Sequence, residues 1–235
     1  MTIHHYNLGP MDNNTYLIVD EATKEAALVD PSFESEKILS DITANGYKLR
    51  YILNTHGHFD HIIGNAFFAR ETGAPIALHR LDLDFLRRLE EQGAMFGFEV
   101  VPSPDPTIYL EDNQTITLGE TQIKVLFTPG HAPGHVTFVI EDEIAIEDKE
   151  SKVLKAAGME KEEPVRETVA LVGDCLFARS IGRTDLPGGS LQTLLHSIRT
   201  RLLTLPDATR VLPGHGKLTT IGNERRRNPY IQPEE

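Results

Sequence analysis

The sequence predicts one layered α/β domain, and three observations predict it. The chain has 235 residues, a length that suits a single domain with a sizeable core. Apolar runs of strand length alternate with stretches of helical periodicity. Four of the apolar runs end in a turn that carries His or Asp, which is how sites are built on the loops at one end of a sheet.

Taken in order, residues 15–19 and 26–30 read as short strands and residues 35–45 as a helix. The run Leu49-Arg50-Tyr51-Ile52-Leu53-Asn54 reads as a strand, and Ile62-Ile63-Gly64-Asn65-Ala66-Phe67-Phe68 as the first turns of a helix. Between them lies Thr55-His56-Gly57-His58-Phe59-Asp60-His61, with three imidazoles and one carboxylate from His56 to His61. In an extended loop His56 and His58 point to the same side. Asp60 and His61 fall near a helix start, where adjacent side chains diverge by about 100°. One pair can then serve one ion and the other pair a second. A solvated polar loop is the plainer alternative for a short motif standing alone.

Residues 80–92 carry Leu81, Leu83, Phe85, Leu86 and Leu89 at helical spacing. Residues 93–106 are irregular. Their apolar trio Met95, Phe96 and Phe98 is either a packed cover or a pocket mouth. Strands are expected at 115–118, 123–127 and 136–140, and a helix at 191–205. Residues 141–167 are rich in charge, with Glu141-Asp142-Glu143 and Glu160-Lys161-Glu162-Glu163. They are expected to form a surface insertion, a mobile loop or a short exposed helix around 153–157, with a lid or a subunit contact as the sharper readings.

Three later segments repeat one grammar, an apolar run, then Gly, then a ligand. They are Val125-Leu126-Phe127-Thr128-Pro129-Gly130-His131, Ala170-Leu171-Val172-Gly173-Asp174, and Val211-Leu212-Pro213-Gly214-His215. A single Gly-His is usually only a turn. Four segments presenting ligands at strand ends point to one metal centre. Cys175 reads as a packed thiol, and His135 as a residue behind the ligands or on the surface.

Composition narrows the partners. The formal net charge is −12, which repels nucleic acid over a long range. The one basic cluster, Arg225-Arg226-Arg227, is too short to reverse that. No apolar run is long enough for a bilayer, and Met1 to Tyr6 lacks the pattern of a secretory signal. Cys175 is the only cysteine, so no internal disulfide forms. The expectation is a cytoplasmic protein without membrane or nucleic acid partners.

The ordered set His56, His58, Asp60, His61, His131, Asp174 and His215 resembles the metallo-β-lactamase-fold hydrolases, over nearly the whole chain. Thr128-Pro129-Gly130-His131, Gly173-Asp174-Cys175-Leu176-Phe177, Ser180-Ile181-Gly182-Arg183-Thr184-Asp185 and Pro213-Gly214-His215-Gly216 are similar to the glyoxalase II branch, in its short single-domain bacterial form. The resemblance implies a four-layer αβ/βα sandwich spanning 1–235 as a single domain. It also implies two divalent metal ions, zinc first, then iron or manganese. His56, His58 and His131 would hold one ion, and Asp60, His61 and His215 the other. Asp174 would bridge them, and Asp60 would also orient the attacking hydroxide.

The function implied is hydrolysis of a small-molecule thioester such as S-lactoylglutathione by metal-bound hydroxide. Asp60 and Asp174 would be catalytic. Arg183 is expected either to bind the glutathione carboxylate or to form a structural pair with Asp185. The alternatives on the same scaffold are a mononuclear-iron persulfide dioxygenase, which shares Gly182-Arg183-Thr184-Asp185, a lactonase or a β-lactamase. A metal-stapled binding module without catalysis is a further one. Gly214-His215-Gly216 favours the two-metal hydrolase.

Overall fold

A computed structural model describes residues 1–149 and 164–232. Strands β1 (Thr2–Leu8), β2 (Asn13–Val19), β3 (Glu25–Val29), β4 (Lys48–Leu53), β5 (Ile76–His79) and β6 (Ile108–Leu110) lie side by side in chain order. The first three pair antiparallel through short connections. From β3 onward the pairing is parallel, which requires crossovers. Helices α1 (Ile38–Ala44), α2 (Phe59–Ile62), α3 (Asn65–Thr72), α4 (Leu83–Arg87) and α5 (Leu89–Met95) lie in them.

The second leaf contains β7 (Thr115–Leu118), β8 (Thr121–Phe127), β9 (Val136–Asp148) and β10 (Val165–Gly173). A small hairpin of β11 (Leu176–Phe177) and β12 (Ser180–Ile181) follows. After it come α6 (Leu191–Ser197), continued by a π-helical turn at Ile198–Leu202, then β13 (Arg210–Pro213), β14 (Thr219–Thr220) and α7 (Ile221–Arg227). Strand β9 belongs to both leaves. Its first half pairs with β8 from Val136 to Ile140, and its end runs parallel to β1 from Ala145 to Asp148.

Alternation along the strands produces three cores. Tyr16 and Ile18 of β2 join Phe138, Ile140, Leu171 and Leu212 between the leaves. Their neighbours Leu17 and Val19 turn outward against Ile38, Phe59, Ile62 and Phe68. On the other side Ala170, Val172 and Val211 meet Leu194, Ile198, Leu202 and Ile221. Layers of helix, sheet, sheet and helix result, which is the αβ/βα sandwich the resemblance implies. Burial on both faces explains why these strands read as unbroken apolar runs. Phe138 is fully buried; truncating such a side chain to Ala costs about 3–5 kcal/mol, a large part of a typical stability of about 5–15 kcal/mol.

Three expectations change. Residues 141–148 do not leave the fold. Glu141 and Glu143 face solvent, while Ile144, Ala145 and Ile146 are buried where β9 meets β1 and β10. The rest of the expected insertion from 150 to 163, with its helix at 153–157, lies outside the described residues. The helix expected at 80–92 divides at Arg88, whose φ of −100° and ψ of 25° leave the helical range, and its second part runs on to Met95. The strand β1 was hidden by His4, His5 and Asn7, which interrupt its apolar pattern. Among the described residues no helix is long and apolar enough to cross a membrane.

Candidate metal centre

The four ligand-bearing turns follow β4, β8, β10 and β13 and meet at one edge of the sandwich. His56 and His58 lie between β4 and α2, and Asp60 and His61 in α2. His131 lies between β8 and β9, Asp174 after β10 and His215 after β13. The turns come this close because two of them are glycine. Gly173 has a φ of 47°, and a Cβ there would stand 2.4 Å from Thr55 Oγ1. A Cβ on Gly214 would stand 2.3 Å from Asp174 Oδ1.

His56, His58 and His131 offer one ligand atom each within 4.8 Å of one another, and so do Asp60, His61 and His215. Asp174 lies between the two groups. Its Oδ2 is 3.6 Å from His131 Nε2 and 3.6 Å from His215 Nε2. Its Oδ1 is 3.5 Å from His61 Nε2. All seven expected residues are therefore brought together. The Nε2 atoms of His56, His58 and His61 and the Oδ1 of Asp174 are buried without a hydrogen-bond partner among the described residues. Buried polar atoms left in that state cost about 1–3 kcal/mol each. The grouping of these residues, in which it is His58 Nδ1 that stands 2.9 Å from His131 Nε2, with only imidazole and carboxylate donors, fits zinc, iron or manganese.

Hydrogen bonds behind the rings decide which nitrogen faces inward. His131 donates through Nδ1 to the Arg183 carbonyl at 2.8 Å, and His215 through Nδ1 to the Met11 carbonyl at 3.0 Å. Asp30 accepts from Thr55 N–H at 2.7 Å and Thr55 Oγ1 at 2.6 Å, and its Oδ2 is 3.2 Å from His61 Nδ1. A third cluster of Asp30, His56 and His61 also exists. Asp30 is nonetheless committed to Thr55 and to the outer nitrogen of His61, which makes it an anchor.

Asn13 donates to Asp60 Oδ2 at 2.9 Å. His135 is buried behind the ligands and away from the surface. Its Nε2 accepts the Asp174 N–H at 3.1 Å, and its Nδ1 donates to Thr128 Oγ1 at 3.0 Å. Asp82 accepts the N–H of Gly57 at 2.9 Å and that of Gly134 at 2.5 Å. Sequence reasoning missed Asn13, Asp30 and Asp82. Only Asp30 had a signal, because it ends an apolar strand just as Asp174 does.

The electrostatics differ between the two groups. Burial pushes His56, His58 and His131 below the ordinary imidazole range, His58 to about 3, with the neighbouring imidazoles adding to the effect on His56 and His58. Burial opposes charge on His61 and His215 too, but the carboxylates of Asp60 and Asp174 outweigh it and raise both. Burial works against charge on Asp60 and Asp174 as well. The surrounding imidazoles, His61 foremost, hold both well below the usual carboxylate range.

A cleft of about 380 Å³ opens over the site, lined by His58, Asp60, His131, Asp174 and His215 together with Phe96, Phe177, Ser180 and Arg183. The Arg183 guanidinium is bidentate to Asp185 at 2.7 and 2.8 Å, with both side chains more than half exposed. The expected ion pair with Asp185 is formed, and the residue's carbonyl serves His131 in addition. Phe96 stands exposed at the cleft mouth, stacked on Phe59 at 5.0 Å, and its neighbour Met95 is exposed beside it in the adjoining lobe. Phe98 packs against Phe33 at 4.8 Å. The trio thus divides between mouth and cover. Cys175 is a packed thiol within the α6 core.

The Metallo-beta-lactamase superfamily profile matches residues 8–145 and 163–215. The chain is similar to hydroxyacylglutathione hydrolase GloC of Haemophilus influenzae, 33% identical over 233 residues that cover 98% of each protein. The BLEG-1 B3 metallo-beta-lactamase crystal structure aligns with a TM-score of 0.80 at 32% identity, covering 97% of this chain and 99% of that one. The structure of TTHA1623 in a di-iron-bound form aligns with a TM-score of 0.76 at 34% identity, covering 96% of this chain and 98% of that one. The likeness runs from the first leaf through to the turn that carries His215, and the chain belongs to the metallo-beta-lactamase superfamily.

Proposed function

We propose that this hydrolase-type metalloprotein is a thioester hydrolase acting on acylthioesters of the S-lactoylglutathione kind. His56, His58 and His131 would hold one divalent ion, Asp60, His61 and His215 a second, and Asp174 both. The observation that carries the reading is Asp174, whose carboxylate stands 3.5–3.6 Å from imidazoles of both groups. Zinc is the first choice of ion; the di-iron form of TTHA1623 keeps iron in view.

Bound ions of this kind supply an ionised water near neutral pH and a Lewis acid for the carbonyl oxygen. The protein's own residues do the rest. Asp60 stays ionised and is fixed by Asn13, so it can hold an attacking water in line. The ligand walls are nearly closed to solvent, apart from the side of His215 that faces the cleft. That burial strengthens the electrostatic stabilisation of a developing oxyanion. A thiolate leaves with little protonation, which suits a site where, among the described residues, no Lys or Tyr acid lines the cleft. The name of the Haemophilus influenzae relative, hydroxyacylglutathione hydrolase, supports the glutathione-linked class. Arg183 lines the cleft and would meet a substrate carboxylate by exchanging it for Asp185.

Metal analysis paired with S-lactoylglutathione hydrolysis and with oxygen uptake on glutathione persulfide tests the proposal. Two ions per chain and thioester cleavage are expected. One iron per chain with oxygen uptake and no cleavage would establish the dioxygenase instead.

A further inference from the structure

The cleft over the ligands continues into a second lobe of about 330 Å³. The two share His58, Gln92, Phe96 and Leu186, so the second lobe begins where the first meets the metal ligands. Its character is different. Leu81, Phe85, Met95, Phe96, Leu186 and Pro187 give its wall an apolar face. Leu81 is 57% exposed and Met95 76% exposed. Apolar side chains left standing in water around a concave surface mark a binding groove.

Three polar side chains of this lobe are already engaged. Arg88 Nε pairs with Glu91 at 2.7 Å, and Gln92 Nε2 donates to the carbonyls of Gly57 and Phe85. With Asp84 on the same wall, the lobe's formal charge is negative. Its one cation, Arg88, stands beside Glu91 and Asp84, so the net charge of its lining disfavours the carboxylates of a peptide-like carrier. The first lobe holds Ser180 and Arg183 instead. A carbonyl placed among the ligands therefore has a polar arm of space toward Arg183 and an apolar arm toward Phe85 and Met95.

We infer that the apolar lobe receives the acyl chain of the substrate, and that the protein acts on thioesters of medium-chain fatty acids. The inference rests on the thioesterase reading and names its acyl class. At roughly 30 Å³ for a water-sized group, the lobe has room for about ten such groups, enough for a chain up to octanoyl. Transfer of each methylene from water into such a wall is worth up to about fourfold in binding.

The test varies the acyl chain on one carrier, using S-acylglutathiones from acetyl to octanoyl with the zinc-loaded protein. In parallel, calorimetry measures binding of the inert S-alkylglutathione thioethers, with and without metal. Both kcat/KM and thioether affinity should rise about two- to fourfold per methylene and then level off. Met95→Glu should flatten the rise in both. Equal kcat/KM and equal affinity for short and long chains would overturn the inference. So would a rise that survives Met95→Glu, or a gain that follows an apolar carrier and not the acyl group. Self-association that is abolished by Met95→Glu, seen in sedimentation, would assign the groove to a second copy of the chain and overturn it as well. If no thioester is hydrolysed but thioether affinity still climbs with length, the thioesterase reading fails and the apolar lobe stands.

Discussion

Replacing Asp82 by Asn separates the stability of the fold from the integrity of the metal centre. One carboxylate there accepts the N–H of Gly57, between His56 and His58, and the N–H of Gly134, in the loop that begins at His131. It ties together the two loops that deliver the first ligand group. Asn has the same shape but only one acceptor oxygen, so its amide must face one of the two donors. Leaving one buried N–H unpaired costs about 1–3 kcal/mol. Against this, burial raises the Asp82 carboxyl from an ordinary 3.8 to about 6, in spite of the two hydrogen bonds. A rise of that size corresponds to about 3 kcal/mol of penalty on the charged form at neutral pH, and Asn removes it. The two effects offset each other, so unfolding of the metal-free protein in urea should change by less than about 2 kcal/mol. The clamp itself is half open, and losing such an orienting contact lowers metal affinity about 10- to 100-fold. Chelator competition should show that loss for the ion at His56, His58 and His131, with the ion at Asp60, His61 and His215 much less affected. Wild-type affinity at both sites, or a stability loss well beyond 2 kcal/mol with both affinities intact, would refute the reasoning.

Arg183→Ala should leave the metal content unchanged and shift stability by less than about 1 kcal/mol, because the lost pair is exposed and His131 is held by the main-chain carbonyl; loss of metal on inductively coupled plasma analysis would contradict that. On acidification the ion at Asp60, His61 and His215 should leave first. His61 and His215 have raised proton affinities, so protons displace that ion at higher pH, whereas His56, His58 and His131 are lowered and keep theirs to lower pH. Metal content after dialysis at a series of pH values should fall in two steps, and the opposite order of loss by site would count against the assignment. Gly214→Ala should abolish binding of at least one ion while the fold persists by circular dichroism, since the added methyl would stand 2.3 Å from Asp174 Oδ1 and 2.6 Å from His61 Cε1; full loading would show that the turn yields.

The seven proposed ligands were legible because each sits in a segment just after an apolar run, so that local pattern and chemistry coincide. The residues that orient them were not, because their partners lie far along the chain. Asp82 meets Gly134 across 52 positions, and Asn13 meets Asp60 across 47. Neither Asp nor Asn advertises such a bond in its own neighbourhood. Arg183 drew attention through its charge, while its main-chain carbonyl, which no residue type signals, is what contacts a ligand. The same masking acted on the fold. Glu141-Asp142-Glu143 suggested departure from the sheet, yet they lead directly into the buried Ile144-Ala145-Ile146. Exposed charge on one face of a strand says nothing about what its other face covers.

The division of the ligands into four from one short stretch and three from distant turns has a consequence for how the protein acquires its metal. His56, His58, Asp60 and His61 are contiguous enough to chelate before any sheet exists, whereas His131, Asp174 and His215 arrive only with tertiary structure. With these residues as ligands, the unfolded chain would itself bind the ion, and the stabilisation gained on loading would be smaller than the folded-state affinity alone would give. During synthesis the first four donors emerge well before His215 does. If these residues are the ligands, the ion abundant in the compartment of translation would meet them first, and metal identity would be under kinetic as well as thermodynamic control.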